Sequence, residues 1–262
     1  MAVGSIREER DGLIVTLTIA NPDRRNAMQP AMRAELAQRV RDADADPGVR
    51  ALVIRGEGAH FCAGADFAAM GHDAPPQNRE QIGERIREAQ DLVRTIALCS
   101  RPVIAAVEGA AYGSGLSLAL ACDYVVTARS AWFGASFTRL GITAEFGLFS
   151  TLPRRIGHQA AKRMILFAQV MGGDDAARTG LADALADDGR AFAMAIDKAT
   201  TLATMPPLAI AVTKRAFAAE CADLETALAQ ELDIMPLLAT SADFREATAA
   251  FREKRTPRFT GR

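Results

Sequence analysis

Two short glycine-containing stretches hold the residues whose types and spacing suit chemistry. Residues 105–115 read AAVEGAAYGSG and residues 61–67 read FCAGADF. In each, an apolar run breaks into a turn of small residues and then enters a helical pattern. Such a turn leaves backbone N–H groups unpaired at a helix N-terminus, facing whatever lies beyond it. Two such turns aimed at one point would make an oxyanion hole, a pair of donors for an oxygen that gains charge during reaction.

The elements that must position these turns are legible as alternating strands and helices. Apolar runs at 6–10 and 13–19 flank Asp11-Gly12, a β-hairpin signal. Asn21-Pro22-Asp23 ends the second strand, and a helix follows from about Pro30, with Met32, Leu36, Val40 and Ala43 on one face. Residues 51–55, ALVIR, read as a short buried strand. Residues 70–78, MGHDAPPQN, have two prolines and no apolar period, and read as a mobile loop. A helix from about Arg79 places Ile82, Ile86, Ala89, Val93 and Ile96 on one face. Residues 103–107 are another buried strand, and Gly113-Ser114-Gly115 opens LSLALAC, a helix apolar nearly all round and therefore buried. Strands follow at 124–127 and 131–134. From Gly157 onward the pattern is almost entirely helical, over 159–168, 174–179, 189–202, 206–219, 224–235 and 241–254. This order predicts an α/β fold with right-handed crossovers and a C-terminal helical region, divided here as 1–200 and 201–262.

The chain has 262 residues, 49% hydrophobic and 24% charged, with a formal net charge of -1. That balance gives no electrostatic case for nucleic acid or an anionic membrane. The four cysteines, Cys62, Cys99, Cys122 and Cys221, lack CxxC spacing, so neither a zinc site nor a redox dithiol is implied. The first residues are charged rather than apolar, and no run is long enough to span a bilayer. Free thiols and the absence of a leader pattern point to the cytoplasm.

The ordered pieces NPDRRNAM, FCAGADF, RPVIAAVEGAAYGSG, ACDYVVTA, LGITAEFG, LPRRIG and FREKRTPRF cover nearly the whole chain. Together they resemble the enoyl-CoA hydratase/isomerase family, also called the crotonase superfamily. The resemblance implies a spiral of ββα turns, a C-terminal helical region used in trimerisation, and a homotrimer or dimer of trimers. It implies an acyl-coenzyme A thioester as substrate, with no separate cofactor and no metal. Its oxyanion donors fall on the amides of Ala65 and Ser114. Many members carry glycine where Ser114 stands, but a serine still supplies the backbone N–H.

The resemblance also sets the question of which side chain moves a proton. Hydratase members use two carboxylates on one water, at positions that fall on Ser117 and Ser136. Hydroxyls have pKa values too high for an unaided general base. Glu145, in LGITAEFG, is similar in position to the single glutamate of peroxisomal-type Δ3,Δ2-enoyl-CoA isomerases. Its neighbours Ile142, Ala144, Phe146 and Leu148 are apolar, and desolvation there should raise its pKa. A solvated loop carboxylate is the plainer alternative.

Other residues have both a functional and a structural reading. Arg24 and Arg25 suit the coenzyme's phosphates by charge and place; a solvated turn is the alternative. Ala27, Ala63, Gly64, Asp66 and Phe67 fall within the matching binding motifs, and Asp66 also suits a helix cap. Phe251 and Lys254 resemble residues that reach the coenzyme from a neighbouring subunit, against an ordinary helix surface. Asp123 reads as a buried hydrogen-bonding residue. His60, His72 and His158 have no ligand spacing. Tyr112, Trp132 and Phe137 suit an acyl-pocket wall or the core, and Cys62 a buried, inert thiol.

The leading expectation is an enoyl-CoA isomerase working through an enolate and Glu145. Alternatives are a hydratase using Glu145 and water with help from Ser117 or Ser136, a hydrolase or dehalogenase, and a non-catalytic acyl-CoA-binding homologue.

Overall fold

The computed structural model describes residues 4–66, 77–219 and 223–262. Phe67, His72, Cys221 and residues 70–76 of the expected loop lie outside them. The chain opens on a hairpin, β1 (Ser5–Asp11) and β2 (Ile14–Ala20), paired antiparallel around Gly12 at φ +57°. Every residue of β2 is buried while β1 is largely exposed. Then come α1 (Pro30–Ala45), β3 (Ala51–Gly56) and α2 (Arg79–Leu98). Asn78 and Gln81 form a reciprocal cap at the start of α2.

The centre of the chain is β4 (Val103–Val107), β5 (Ala110–Tyr112), α3 (Ser114–Ala121), β6 (Tyr124–Ala128) and β7 (Trp132–Gly134). It continues as α4 (Leu148–Ile156), α5 (His158–Leu166), β8 (Val170–Gly172), α6 (Gly173–Thr179) and β9 (Ala184–Ala186). Four helices close it: α7 (Ala191–Ala203), α8 (Pro207–Ala219), α9 (Leu224–Ala239) and α10 (Ala242–Glu253).

Two sheets result, one ordered β1-β2-β3-β4-β6-β9 and one ordered β5-β7-β8. From β2 to β9 the larger sheet is parallel. The chain lays one strand in each sheet and then turns into a helix, as in β4, β5 and α3. That is the ββα turn expected from the sequence. Parallel strands covered on both faces read as continuous apolar runs, and β4 is buried at all five positions.

The region after Gly157, expected to be almost entirely helical, also holds β8 and β9, which lie between the expected helices. Each has three residues, too short to show a period of two. The sequence reading also passed over α4, whose internal Pro153 has the look of a breaker. In the C-terminal region α7 packs on β3, β4 and β6, whereas α8 packs on α2 and α9. No residue of α9 is buried, and Leu224, Leu232 and Met235 are 70%, 75% and 57% exposed. Among the described residues no helix is long and apolar enough to cross a membrane.

Candidate active site

The segment after β3 is pinned to β5, which directly precedes α3. Cys62 N–H donates to Ala110 O at 2.9 Å, and Tyr112 N–H donates to Cys62 O at 3.0 Å. The approach is close: a Cβ on Gly115 would lie 2.1 Å from Cys62 O. Gly64, at φ +99°, turns the chain in a way that L side chains rarely adopt, and a Cβ there would lie 2.8 Å from Tyr112 O. Glycine at 64 and 115 is therefore what lets the two turns meet.

The two expected donors line one cavity of about 920 Å³. Among the described residues the amides of Ala65 and Ser114 have no acceptor in the chain. Each belongs to a peptide whose carbonyl is engaged. Gly64 O accepts from Met28 N–H at 2.8 Å, and Gly113 O accepts from Ser117 N–H at 3.1 Å. These bonds fix both peptide planes and polarise the free N–H groups. Ser114 is 3% exposed and its Oγ has no partner.

Glu145 lines the same cavity. It stands in a tight turn, with Phe146 at φ +57° and Gly147 at φ +74°, just before α4. Ala144, Phe146 and Leu148 are buried around it, whereas Ile142 is 44% exposed at the cavity wall. Burial pushes the Glu145 carboxyl above its ordinary value, against the pull of Arg33 and Arg85. Glu108 is the other carboxylate among the described residues lining the cavity. It is already engaged, accepting from Gly189 N–H at 3.2 Å and Ala191 N–H at 2.9 Å to cap α7.

The two serines at the hydratase positions differ in access. Ser136 lines the cavity. Ser117 is fully buried; its hydroxyl donates to Glu145 O at 3.0 Å and lies 3.4 Å from Gly113 O. Its proton is committed to the backbone, so it is not placed to activate water.

Arg25, Ala63 and Gly64 line the cavity; Arg24 is exposed on the same turn but does not. Ala27 and Asp66 are buried beside it, where Gln29 Nε2 donates to Asp66 Oδ2 at 3.3 Å. Phe251, 87% exposed, and Lys254 do not line the cavity of their own chain. Tyr112, Trp132 and Phe137 form part of the wall. His60 also lines it, and its Nδ1 accepts from Ala110 N–H at 3.2 Å. The Cys62 thiol is buried and pushed up to about 12 by desolvation, hence inert. Asp123 accepts from Val103 N–H at 2.7 Å and from Lys214 Nζ.

The sequence reading missed Asn26 and Arg33. Asn26, fully buried at φ +58°, donates from Nδ2 to Glu57 O at 2.8 Å and His60 O at 2.6 Å, which ties the NPDRRN turn to the loop after β3. Its signal was available, since asparagine tolerates the left-handed region and its side chain bonds to nearby backbone. Arg33 gave none, because it sits on an ordinary helix face.

A model of the family described as enoyl-CoA hydratase/isomerase matches residues 9–262. The chain belongs to that family. Among family members, it is 39% identical over 266 residues to the protein named "Probable enoyl-CoA hydratase" of Rhodobacter capsulatus, covering 100% of each. It is 36% identical over 251 residues to the 1,2-epoxyphenylacetyl-CoA isomerase of Escherichia coli, covering 95% of each. The crystal structure of an enoyl-CoA hydratase from Polaromonas matches with a TM-score of 0.90 at 33% identity, over 98% of this chain and 100% of that one. The fold is thus the crotonase fold and the protein is an acyl-CoA enzyme of the hydratase/isomerase family.

Proposed function

We propose that the protein is an enoyl-CoA isomerase that shifts a carbon–carbon double bond with one carboxylate. The observation that carries this reading is the cavity's inventory among the described residues: two free amides and, with Glu108 engaged as a cap, one available carboxylate. The thioester oxygen accepts from the N–H groups of Ala65 and Ser114. Glu145 takes a proton from C2 of a 3-enoyl thioester, and the electron pair moves into a dienolate whose charge rests on the held oxygen. The same carboxyl returns the proton to C4, and the double bond settles between C2 and C3. A raised pKa suits both halves of this exchange. The isomerase among the relatives supports the reading; the hydratase names support the second one.

In that second reading Glu145 activates water for addition to a 2-enoyl thioester, and Ser136 is the hydroxyl placed to help. Incubating the enzyme with 2-enoyl- and 3-enoyl-CoA thioesters in deuterated water, read by mass, separates the two. Isomerisation with deuterium entry, lost in Glu145→Gln while acyl-CoA binding persists, is expected. Turnover undiminished in Glu145→Gln sinks the isomerase reading.

The coenzyme's phosphates are assigned to Arg25, with Arg24 on the same turn. The exposed apolar faces of α8 and α9 support a homotrimer or dimer of trimers in which Phe251 and Lys254 serve a neighbour's coenzyme.

A further inference from the structure

Arg33 lies on α1 among core side chains, and only 5% of it is exposed. Its Nη1 donates to Met28 O at 3.3 Å, and its Nε has no partner. It forms no ion pair among the described residues. A guanidinium keeps its charge even where burial lowers its pKa, so the fold holds in its interior a cation that no carboxylate among the described residues bonds.

Both ends of the site meet at this cation. Met28 is bridged to the oxyanion segment: its N–H donates to Gly64 O at 2.8 Å, and its O accepts from Asp66 N–H at 3.3 Å. On the other side, Arg33 Cζ lies 5.9 Å from the centre of the Phe146 ring, next to Glu145. The titratable groups whose charge bears on Arg33 are Glu145, Arg85, Glu88 and Cys62. Those whose charge bears on Glu145 are Arg33 and Arg85.

We propose that Arg33 is a positioning residue that ties the Ala65 segment to the Glu145 turn and supplies the standing positive charge against which that carboxylate works. The inference rests on Glu145 as proton carrier. The Arg33 charge opposes the rise that burial gives the Glu145 carboxyl, in the direction of the ionised form that accepts a proton. Its bond to Met28 and its ring contact hold the base at one distance from the hole.

The test is the pH profile of kcat/KM for isomerisation of a 3-enoyl-CoA by Arg33→Met and Arg33→Lys. In Arg33→Met the acid limb is expected to move to higher pH, with kcat down on the order of tenfold to a hundredfold and KM little changed. Arg33→Lys keeps the charge, so its limb stays near that of the native enzyme while kcat still falls. An Arg33→Met limb that does not move, with the loss confined to thermal stability, overturns the proposal. If Arg33→Met does not fold, native kcat in Arg33→Lys overturns it. Full turnover in Glu145→Gln would remove the reading of the base instead. A double-mutant cycle of Arg33→Lys with Glu145→Gln on thermal unfolding then judges Arg33 by itself, and additive effects overturn the coupling.

Discussion

The Ser117 hydroxyl donates to the main-chain carbonyl of Glu145 at 3.0 Å, across 28 residues of sequence. The same oxygen lies 3.4 Å from Gly113 O, the carbonyl of the peptide that carries the Ser114 N–H. One buried hydroxyl thus joins the turn that carries Glu145 to the turn that carries the Ser114 amide. At the position that the resemblance gives to a hydratase carboxylate, this chain has a fastener.

Ser117→Ala should therefore leave Glu145 O with only its bond from Leu148 N–H at 3.3 Å. Stability is expected to fall by about 1–3 kcal/mol, the usual cost of a buried polar group that loses a partner. If Glu145 carries the proton, turnover should fall with KM for the acyl-CoA nearly unchanged, because its carboxyl shifts while the cavity walls remain. Urea unfolding and steady-state kinetics read the two effects. Native kcat in this variant would exclude the fastening role.

Glu145 should also show in stability against pH. Its folded pKa is raised by burial, so the folded state binds more protons than the unfolded one between the ordinary glutamate value and the raised one. Its contribution to stability is greatest below that window and declines as pH rises through it. Glu145→Gln should therefore melt higher than the native enzyme at neutral pH and lose that advantage in acid. A melting difference independent of pH would argue that the carboxyl is not desolvated.

Two helical glycines should respond oppositely to the same change. Gly115→Ala places a methyl 2.1 Å from Cys62 O and forces the two turns apart. A loss of about 1–3 kcal/mol is expected, as for overpacking elsewhere, together with loss of turnover. Gly83→Ala in α2 meets nothing nearer than Arg87 Nη1 at 3.8 Å. It should stabilise by roughly 0.5–1 kcal/mol through helix propensity. Thermal melts of both variants check the contrast, and a neutral Gly115→Ala would mean that the turns have room to spare.

Phe217 is 79% exposed and Leu232 is 75% exposed, on consecutive helices. Large apolar side chains exposed on packed helices suit an association surface. Light scattering on the native protein is expected to give the mass of three or six chains. Phe217→Glu with Leu232→Glu should give a single chain that keeps its helical circular dichroism. A monomeric native protein would refute the assembly.

Much of the site was legible because it is local. Glycine followed by small residues announces a turn that leaves amides free, so residues 61–67 and 105–115 stood out, and Glu145 stood out through its place in a motif that resembles the family's. The parallel strands showed as apolar runs for the same reason. Sequence patterns fail where a residue's role is set by a distant partner. Ser117 read as a candidate helper to water until its hydroxyl was found bonded to Glu145 O. Glu108 passed as part of a turn, and its capping of α7 lies more than 80 residues away. Nothing in α1 separates Arg33 from its other arginines except that the fold buries it.

The sequence alone determined the glycine-containing turns and the apolar strands that end in them, since backbone preference and hydrophobic period act over a few residues. Tertiary structure alone decided that both free amides and the carboxylate border one cavity. It also decided that Glu108 and Ser117 are engaged elsewhere, because hydrogen bonds across the fold are set by packing and leave no periodic trace in the chain.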